Sequence, residues 1–284
     1  MPLNSIRLWI VATPLGNAAD LPQRAREVLE SADFVLAEDT RRAKLLFGRC
    51  QMTARGFVSF HEHNEAGRLH GILARLRAGE TAALISDAGL PLIADPGYRL
   101  VRACREEGLP VSVVPGPCAP VTALAGCGIA PQPFVFFGFL PRGRAGQEAR
   151  LAPFAALPLT LVFFERKDRL AATLRLALDV LGDREVCAAR ELTKTHEEYV
   201  FGRLRDSAPF ADLLGEITVV IGPPERIRAA TPEEIRALIA QEREKGGSPR
   251  AVARRVQSLA AGWTGKAIYS MMSGQEQGHE QKKR

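Results

Sequence analysis

The sequence predicts an α/β protein of two α/β domains, an N-terminal one around a largely parallel sheet and a second around a mixed sheet, with a small helical C-terminal extension. Three observations carry this reading. A unit of apolar strand, polar or glycine-bearing tip and helix recurs five times between Arg7 and Ala119, the rhythm of a parallel sheet covered by helices. From Pro131 the pattern changes, with aromatic or closely spaced strands that favour antiparallel pairing. Beyond Gly222-Pro223-Pro224 only helix signals remain. The expected units are 1–117, 118–225 and 230–273, with 274–284 expected to be disordered.

Arg7 to Ala12 reads as the first strand, breaking into Thr13-Pro14-Leu15-Gly16-Asn17. A helix follows, with Asp20 as the expected cap, Pro22 tolerated in the first turn, and Ala25, Val28, Leu29 and Ala32 on one face. Phe34 to Ala37 is the second strand, tipped by Glu38-Asp39-Thr40-Arg41-Arg42. Phe57 to Phe60 is a weaker third, tipped by His61-Glu62-His63-Asn64-Glu65, before a helix to about Ala78. Thr81 to Ile85 then runs into Ser86–Gly97, S-D-A-G-L-P-L-I-A-D-P-G, where Gly89 removes a side chain beside Asp87 and Pro91 and Pro96 stiffen the loop. Ligands of open α/β sheets collect at such strand tips. A helix from Tyr98 to Glu107 leads to strand Val111–Val114 and the tip Pro115-Gly116-Pro117-Cys118-Ala119.

In the second half, Phe134–Leu140 precedes a basic loop containing Arg142 and Arg144. Leu159–Phe164 ends in Glu165-Arg166, and a helix from Leu170 to Leu181 stops at Gly182. Strands Glu185–Ala189, Tyr199–Leu204 and Ile217–Ile221 follow, the first tipped by Arg190-Glu191-Leu192-Thr193-Lys194. Thr231-Pro232-Glu233-Glu234 is a strong helix start, Ser248-Pro249 another, and Trp263–Met272 the last apolar segment.

Composition narrows the class of function. A chain of 284 residues with 46% hydrophobic content supports a sizeable core, and the net charge of +6 favours an anionic partner such as nucleic acid. Five scattered cysteines without a C-x-x-C pair encode neither a disulfide framework nor a zinc site, and fit a reducing cytoplasm. No apolar run approaches the ~20 residues of a membrane span. The chain has no G-x-x-x-x-G-K-[ST], and no G-x-G-x-x-G after its first strand, which disfavours P-loop nucleotidases and dinucleotide folds. His61 and His63 lack a third ligand at readable spacing, so no metal is expected. Cys118 and Cys127 lack a base that would make a nucleophile.

Seven motifs in order, T-P-L-G-N, E-D-T-R, H-E-H-N-E, S-D-A-G-L-P-L-I-A-D-P-G, P-G-P-C-A, F-G-F-L-P and R-E-L-T-K-T-H-E-E, resemble the tetrapyrrole methylase superfamily over about Leu8 to Ile221. Within it they are most similar to the branch that methylates ribose 2′-oxygens of ribosomal RNA. The resemblance implies two α/β domains with S-adenosyl-L-methionine in the cleft between them, a homodimer, and as substrate a cytidine of 16S RNA at the decoding centre of the small subunit. It implies Leu15, Asp87, Gly89, Leu92, Cys118, Ala119, Glu165, Ala189 and Thr218 near the cofactor. Leu90 and Ala94 stand where the family commonly has Thr and Ser, and Cys118 where it has Ser, so contacts there fall to main chain and Asp87.

A sulfonium is an activated methyl donor, so the enzyme needs to align a ribose oxygen and help remove one proton. Lys194, or one of Asp39, His61 and Glu191, is the expected base or hydroxyl-orienting group; alternatively Glu191 and Lys194 only pair across the cleft. Arg41, Arg42, Arg142 and Arg144 are candidates for RNA phosphates. Two other functions compete, a small-molecule precorrin-type tetrapyrrole methylase and a non-catalytic RNA-binding protein.

Overall fold

The computed structural model describes residues 5–206, 208–225, 230–260 and 262–280. Its first half runs β1 (Leu8–Val11), α1 (Gln23–Ser31), β2 (Phe34–Ala37), α2 (Thr40–Arg49), β3 (Phe57–Ser59), α3 (Glu65–Arg77), β4 (Ala82–Ile85), α4 (Tyr98–Glu106) and β5 (Val111–Val114). The strands form one all-parallel sheet in the order β3-β2-β4-β1-β5. Every residue of β1, β2 and β4 is buried, because helices cover both faces of the sheet. The strands feed the two cores alternately. Trp9, Val35 and Ala83 pack towards α1 and α2, while Leu8, Phe34 and Ala82 pack towards α3 and α4.

The second half runs α5 (Ala119–Gly126), β6 (Phe134–Phe139), α6 (Arg144–Leu151), β7 (Thr160–Arg166), α7 (Lys167–Leu181), β8 (Glu185–Arg190), β9 (Glu198–Arg203) and β10 (Glu216–Ile221). Its sheet is mixed, in the order β6-β7-β10-β8-β9, with β6 and β7 parallel and the other pairs antiparallel. Leu151, Leu170 and Leu174 cover one face, and Ala123 and Leu124 of α5 the other. Arg184 is fully buried with no carboxylate partner among the described residues; it donates to the carbonyls of Leu181, Gly222, Phe154 and Ala155, tying the far end of this sheet to the connection before β7.

The extension consists of α8 (Pro232–Glu244), α9 (Pro249–Leu259) and α10 (Gly265–Glu280). Thr231 and Glu234 form a reciprocal capping box on α8, as the T-P-E-E start predicts, and Ser248 caps α9. The three helices share their own core of Ile235, Ile239, Val252, Val256, Ile268 and Met272. Buried Glu242 locks α8 to α9 by accepting from Arg255 at 2.7 Å.

Several local expectations are corrected. Asp20 does not cap α1: it closes a 3-10 turn, Ala18–Asp20, which Asn17 caps, and Pro22 stands at the N-cap of α1. Helices α2, α5 and α6 lie in stretches read only as tips and loops. Helix α10 runs to Glu280, into the segment 274–284, of which positions 281–284 lie outside the described residues. Nothing between Gly265 and Glu280 is a proline, so no residue there forbids the helical hydrogen bonds.

Candidate active site between the two sheets

The carboxyl ends of the first sheet's strands face the second sheet across a cavity of about 930 Å³. On the first side, Thr13 and Gly89 exchange two main-chain hydrogen bonds, of 2.8 and 3.0 Å, which bring the tips of β1 and β4 together. Gly89 has φ +81°, and a Cβ on it would approach Leu15 Cδ2 to 3.1 Å. That close fit seats Leu15 on the cavity wall. Asp87, one turn of loop earlier, accepts from the Asp39 amide at 3.3 Å and pairs with Arg42 at 2.7 Å, so the tips of β2 and β4 are joined as well.

Further along the β4 loop, Leu92 and Ala94 adopt left-handed conformations with φ 72° and 69°. Non-glycine residues hold such angles only where the surroundings impose them, and they cluster at functional sites. The same applies across the cavity, where Glu191 (φ 49°) and Thr193 (φ 64°) shape the loop after β8. Glu191 accepts from the Glu216 amide at 2.9 Å and from Lys194 Nζ at 3.2 Å; Lys194 also reaches Glu216 at 3.0 Å. The Asn17 amide donates to the Thr193 hydroxyl at 3.2 Å, which fastens the β1 loop to the β8 loop.

Ionisation follows from these contacts. Burial pulls Lys194 down, but hydrogen bonds to, and the charges of, Glu216 and Glu191 outweigh it and hold the ammonium above its ordinary value. The Glu216 amide, then the Lys194 ammonium, keep Glu191 below the usual range. Both groups are therefore ionised at neutral pH. Glu38 shifts the other way, raised first by burial and then by the charge of Asp87. Asp95 is pushed up to about 7 by burial, with Glu38 the next cause.

Of the residues expected near the cofactor, Leu15, Asp87, Ala119, Glu165 and Thr218 line the cavity. The Glu165 carboxylate is fully buried, holding the Thr173 hydroxyl at 2.6 Å, the Arg166 amide at 2.8 Å and Arg169 at 3.3 Å. Four expected residues stand off the wall. Leu92 packs its side chain into the core beneath the β4 loop, Ala189 is buried beside its cross-strand neighbour Thr218, Cys118 is the N-cap position of α5, and Gly89 lies under Leu15.

The expected catalytic set also divides. Lys194 lines the cavity, with Glu191 bonded behind it. Asp39 faces away, capping α2 through the Arg41 amide at 2.8 Å and gripping the exposed Arg41 side chain at 2.7 Å. His61 sits off the wall, 3.0 Å from Asn64, with its Nδ1 buried and unpartnered among the described residues. Arg42 is on the wall. Arg142 and Arg144 are not: both are exposed at the start of α6, where Arg144 pairs with Asp179 at 2.9 Å. The reading from sequence missed Glu38, Asp95, Phe139 and Phe164, all of which line the cavity. Asp95 had a signal in its A-D-P-G setting, a second acidic residue between left-handed turns and a proline.

The family model of tetrapyrrole (corrin/porphyrin) methylases matches residues 7–208. A ribosomal RNA small subunit methyltransferase I from Micromonospora olivasterospora is 43% identical over 90% of this chain and 84% of its own length. One from Thermotoga maritima is 42% identical over 77% of this chain and 99% of its own. Among solved structures, the uroporphyrin-III C-methyl transferase of Thermus thermophilus complexed with S-adenyl homocysteine superposes with a TM-score of 0.57 at 22% identity, covering 76% of this chain and 97% of that one. A cobalamin biosynthetic enzyme, cobalt precorrin-4 methyltransferase, gives 0.58 at 16% identity, covering 78% and 97%. The paired sheets are thus a shared fold, and the sequence identity narrows the assignment: the chain belongs to the tetrapyrrole methylase family, in the group of the ribosomal RNA small subunit methyltransferases I.

Proposed function

We propose that the cavity binds S-adenosyl-L-methionine and that the protein transfers its methyl group to the 2′-oxygen of a cytidine ribose in 16S RNA of the small ribosomal subunit. The observation that carries this reading is the 42–43% identity, over most of the chain, to proteins named for methylation of that RNA. The wall suits such a cofactor. Leu15 and Ala119 offer apolar surface for a purine and a thioether chain, and the acidic groups Glu38, Asp87 and Asp95 attract a sulfonium and accept from hydroxyl and amino groups. S-adenosylmethionine supplies an activated methyl group when bound.

The chain's own part is positioning and charge. Lys194, held as an ammonium between Glu191 and Glu216, presents a fixed cation to a ribose hydroxyl or the neighbouring phosphate; being protonated, it cannot serve as the base. Arg42 adds a second cation on the opposite wall. The helical extension contributes docking: Arg250, Arg254, Lys266 and Tyr269 line a groove of about 340 Å³ on its surface. Arg255, the third arginine of α9, is instead bound to Glu242 and serves structure.

The same reading makes the protein a cytoplasmic homodimer. No helix among the described residues is long and apolar enough to cross a membrane, and the edge strand β5 and helix α5 leave Val113 and Val121 exposed for a second copy. Light scattering tests the dimer. The function is tested by incubation with radiolabelled S-adenosylmethionine and, in turn, small subunits, naked 16S RNA and a precorrin. Label at a cytidine 2′-oxygen of RNA is the expected result; label in the precorrin alone, or in nothing, overturns it.

A further inference from the structure

Six acidic residues line the cavity, Glu38, Asp87, Asp95, Glu165, Asp168 and Glu216, the Glu165 carboxylate being buried beneath the wall. Four are held by cations, Asp87 by Arg42 at 2.7 Å, Glu165 by Arg169 at 3.3 Å, Asp168 by Arg166 at 3.1 Å and Glu216 by Lys194 at 3.0 Å. Glu38 and Asp95 have no ion pair among the described residues. A carboxylate tied to a guanidinium or ammonium has its oxygens already engaged by charged donors. The two that remain are the carboxylates on this wall left without a cation, and so the ones free to meet a substrate hydroxyl.

Between them, the backbone singles out Asp95. It follows the left-handed Ala94, precedes Pro96, and belongs to the loop between β4 and α4. A short side chain on a loop braced by two strained residues and two prolines has little freedom, as a positioned acid–base group requires. Its surroundings are acidic: Glu38 from the end of β2 and Asp87 from its own loop disfavour its charge, while the Ser86 hydroxyl opposes them. Arg42 on α2 is committed to Asp87, and His61 acts on Glu38 rather than on Asp95. The cations Lys194, Arg166 and Lys167 belong to the opposite wall.

We propose that Asp95 is the catalytic proton acceptor for the methylated hydroxyl. This rests on the methyl-transfer reading above. In the step, the O–H electron pair stays with oxygen while the proton passes to an Asp95 carboxylate oxygen. An oxygen lone pair forms the bond to the methyl carbon, and the breaking C–S bond returns its pair to sulfur, turning sulfonium into neutral thioether. Arrival of the sulfonium cation draws Asp95 into its charged, accepting form; loss of that charge after transfer lets the proton remain. The donor thus arms its own base.

The test compares binding of S-adenosylmethionine and S-adenosylhomocysteine by calorimetry in buffers of different ionisation enthalpy. The two ligands share their amino and carboxyl groups, so the difference in protons released reports the sulfonium. At pH 7, near which Asp95 is half protonated, the parent should release up to about 0.5 proton more with S-adenosylmethionine, falling towards zero by pH 9. Asp95→Asn should abolish the difference; Glu38→Gln should keep it but move it to lower pH. Single-turnover transfer to small subunits should fall about 10²- to 10⁴-fold in Asp95→Asn. A variant that retains the proton difference, or transfers within about threefold of the parent, far short of that range, overturns the proposal. Failure of the parent itself to methylate subunits counts against the parent reading instead.

Discussion

The stem of Lys194 lies directly on Gly16: a Cβ at Gly16 would stand 2.2 Å from Lys194 Cγ, far inside contact distance. The first sheet's leading loop therefore positions the second sheet's lysine, and glycine is required there for the approach rather than for its backbone angle. Gly16→Ala is expected to leave the protein folded, as judged by circular dichroism, while displacing the ammonium. Displacements of about 1 Å cost on the order of 10²-fold in rate, so single-turnover methyl transfer should drop by at least tenfold.

Removing the charge tests the lysine itself. Lys194→Met is expected to keep cofactor affinity and to lower methyl transfer by roughly 10²-fold, the scale of a preorganised charged donor lost from an active site. Because Glu191 and Glu216 lose their shared partner, the variant should also melt earlier. Calorimetry, single-turnover kinetics and a thermal scan separate the three effects.

Asp87 joins two strand tips and faces the cavity. Asp87→Ala frees Arg42 and leaves the Asp39 amide without its acceptor. The expected outcome is at least a tenfold rise in the dissociation constant for S-adenosylmethionine, the cost of about 1.4 kcal/mol. An unchanged titration removes Asp87 from the cofactor site.

Asp95 also predicts a pH dependence of stability. Its folded pKa lies above the unfolded value, so the folded state binds the extra proton between about 3.8 and 7, and stability falls as pH rises through that window. Asp95→Asn, which cannot ionise, should raise the melting temperature at pH 8 by roughly 2–4 °C, the shift that about 1 kcal/mol produces in a chain of this size. Below pH 4 the variant and the parent should coincide. A melting-temperature profile across pH 3.5–9 checks both ends.

The groove on the extension predicts a salt signature. Replacing Arg250, Arg254 and Lys266 with alanine should leave cofactor binding intact and weaken binding to small subunits. If all three meet phosphates, the slope of log K against log salt should flatten by about 2. Filter binding at several salt concentrations reads this directly.

Much of the architecture was open to local pattern. Buried strands announce themselves as unbroken apolar runs such as Ala82-Ala83-Leu84-Ile85, and α8 by the reciprocal cap of Thr231 and Glu234. Helix α2 escaped notice because its start, Asp39-Thr40-Arg41-Arg42, reads equally well as a polar strand tip, and its buried residues are few, Ala43 and Phe47. Asp20 looked like a cap by its spacing, but Asn17 reached the free amide first and closed a tighter turn.

Strand rhythm, family motifs and the class of chemistry belong to the chain as a linear pattern, because periodicity and short-range turn preferences act between residues close in sequence. The roles within the cavity belong to the folded molecule. Whether Leu92 faces ligand or core, whether Lys194 holds its proton and whether Asp95 accepts one depend on loop dihedrals and on charges brought together from distant segments. Glu216 lies 22 residues from Lys194, and Glu38 much further from Asp95, yet these neighbours decide which group is charged. Burial and Coulomb interactions act through space, and only the packing of one sheet against the other sets those distances.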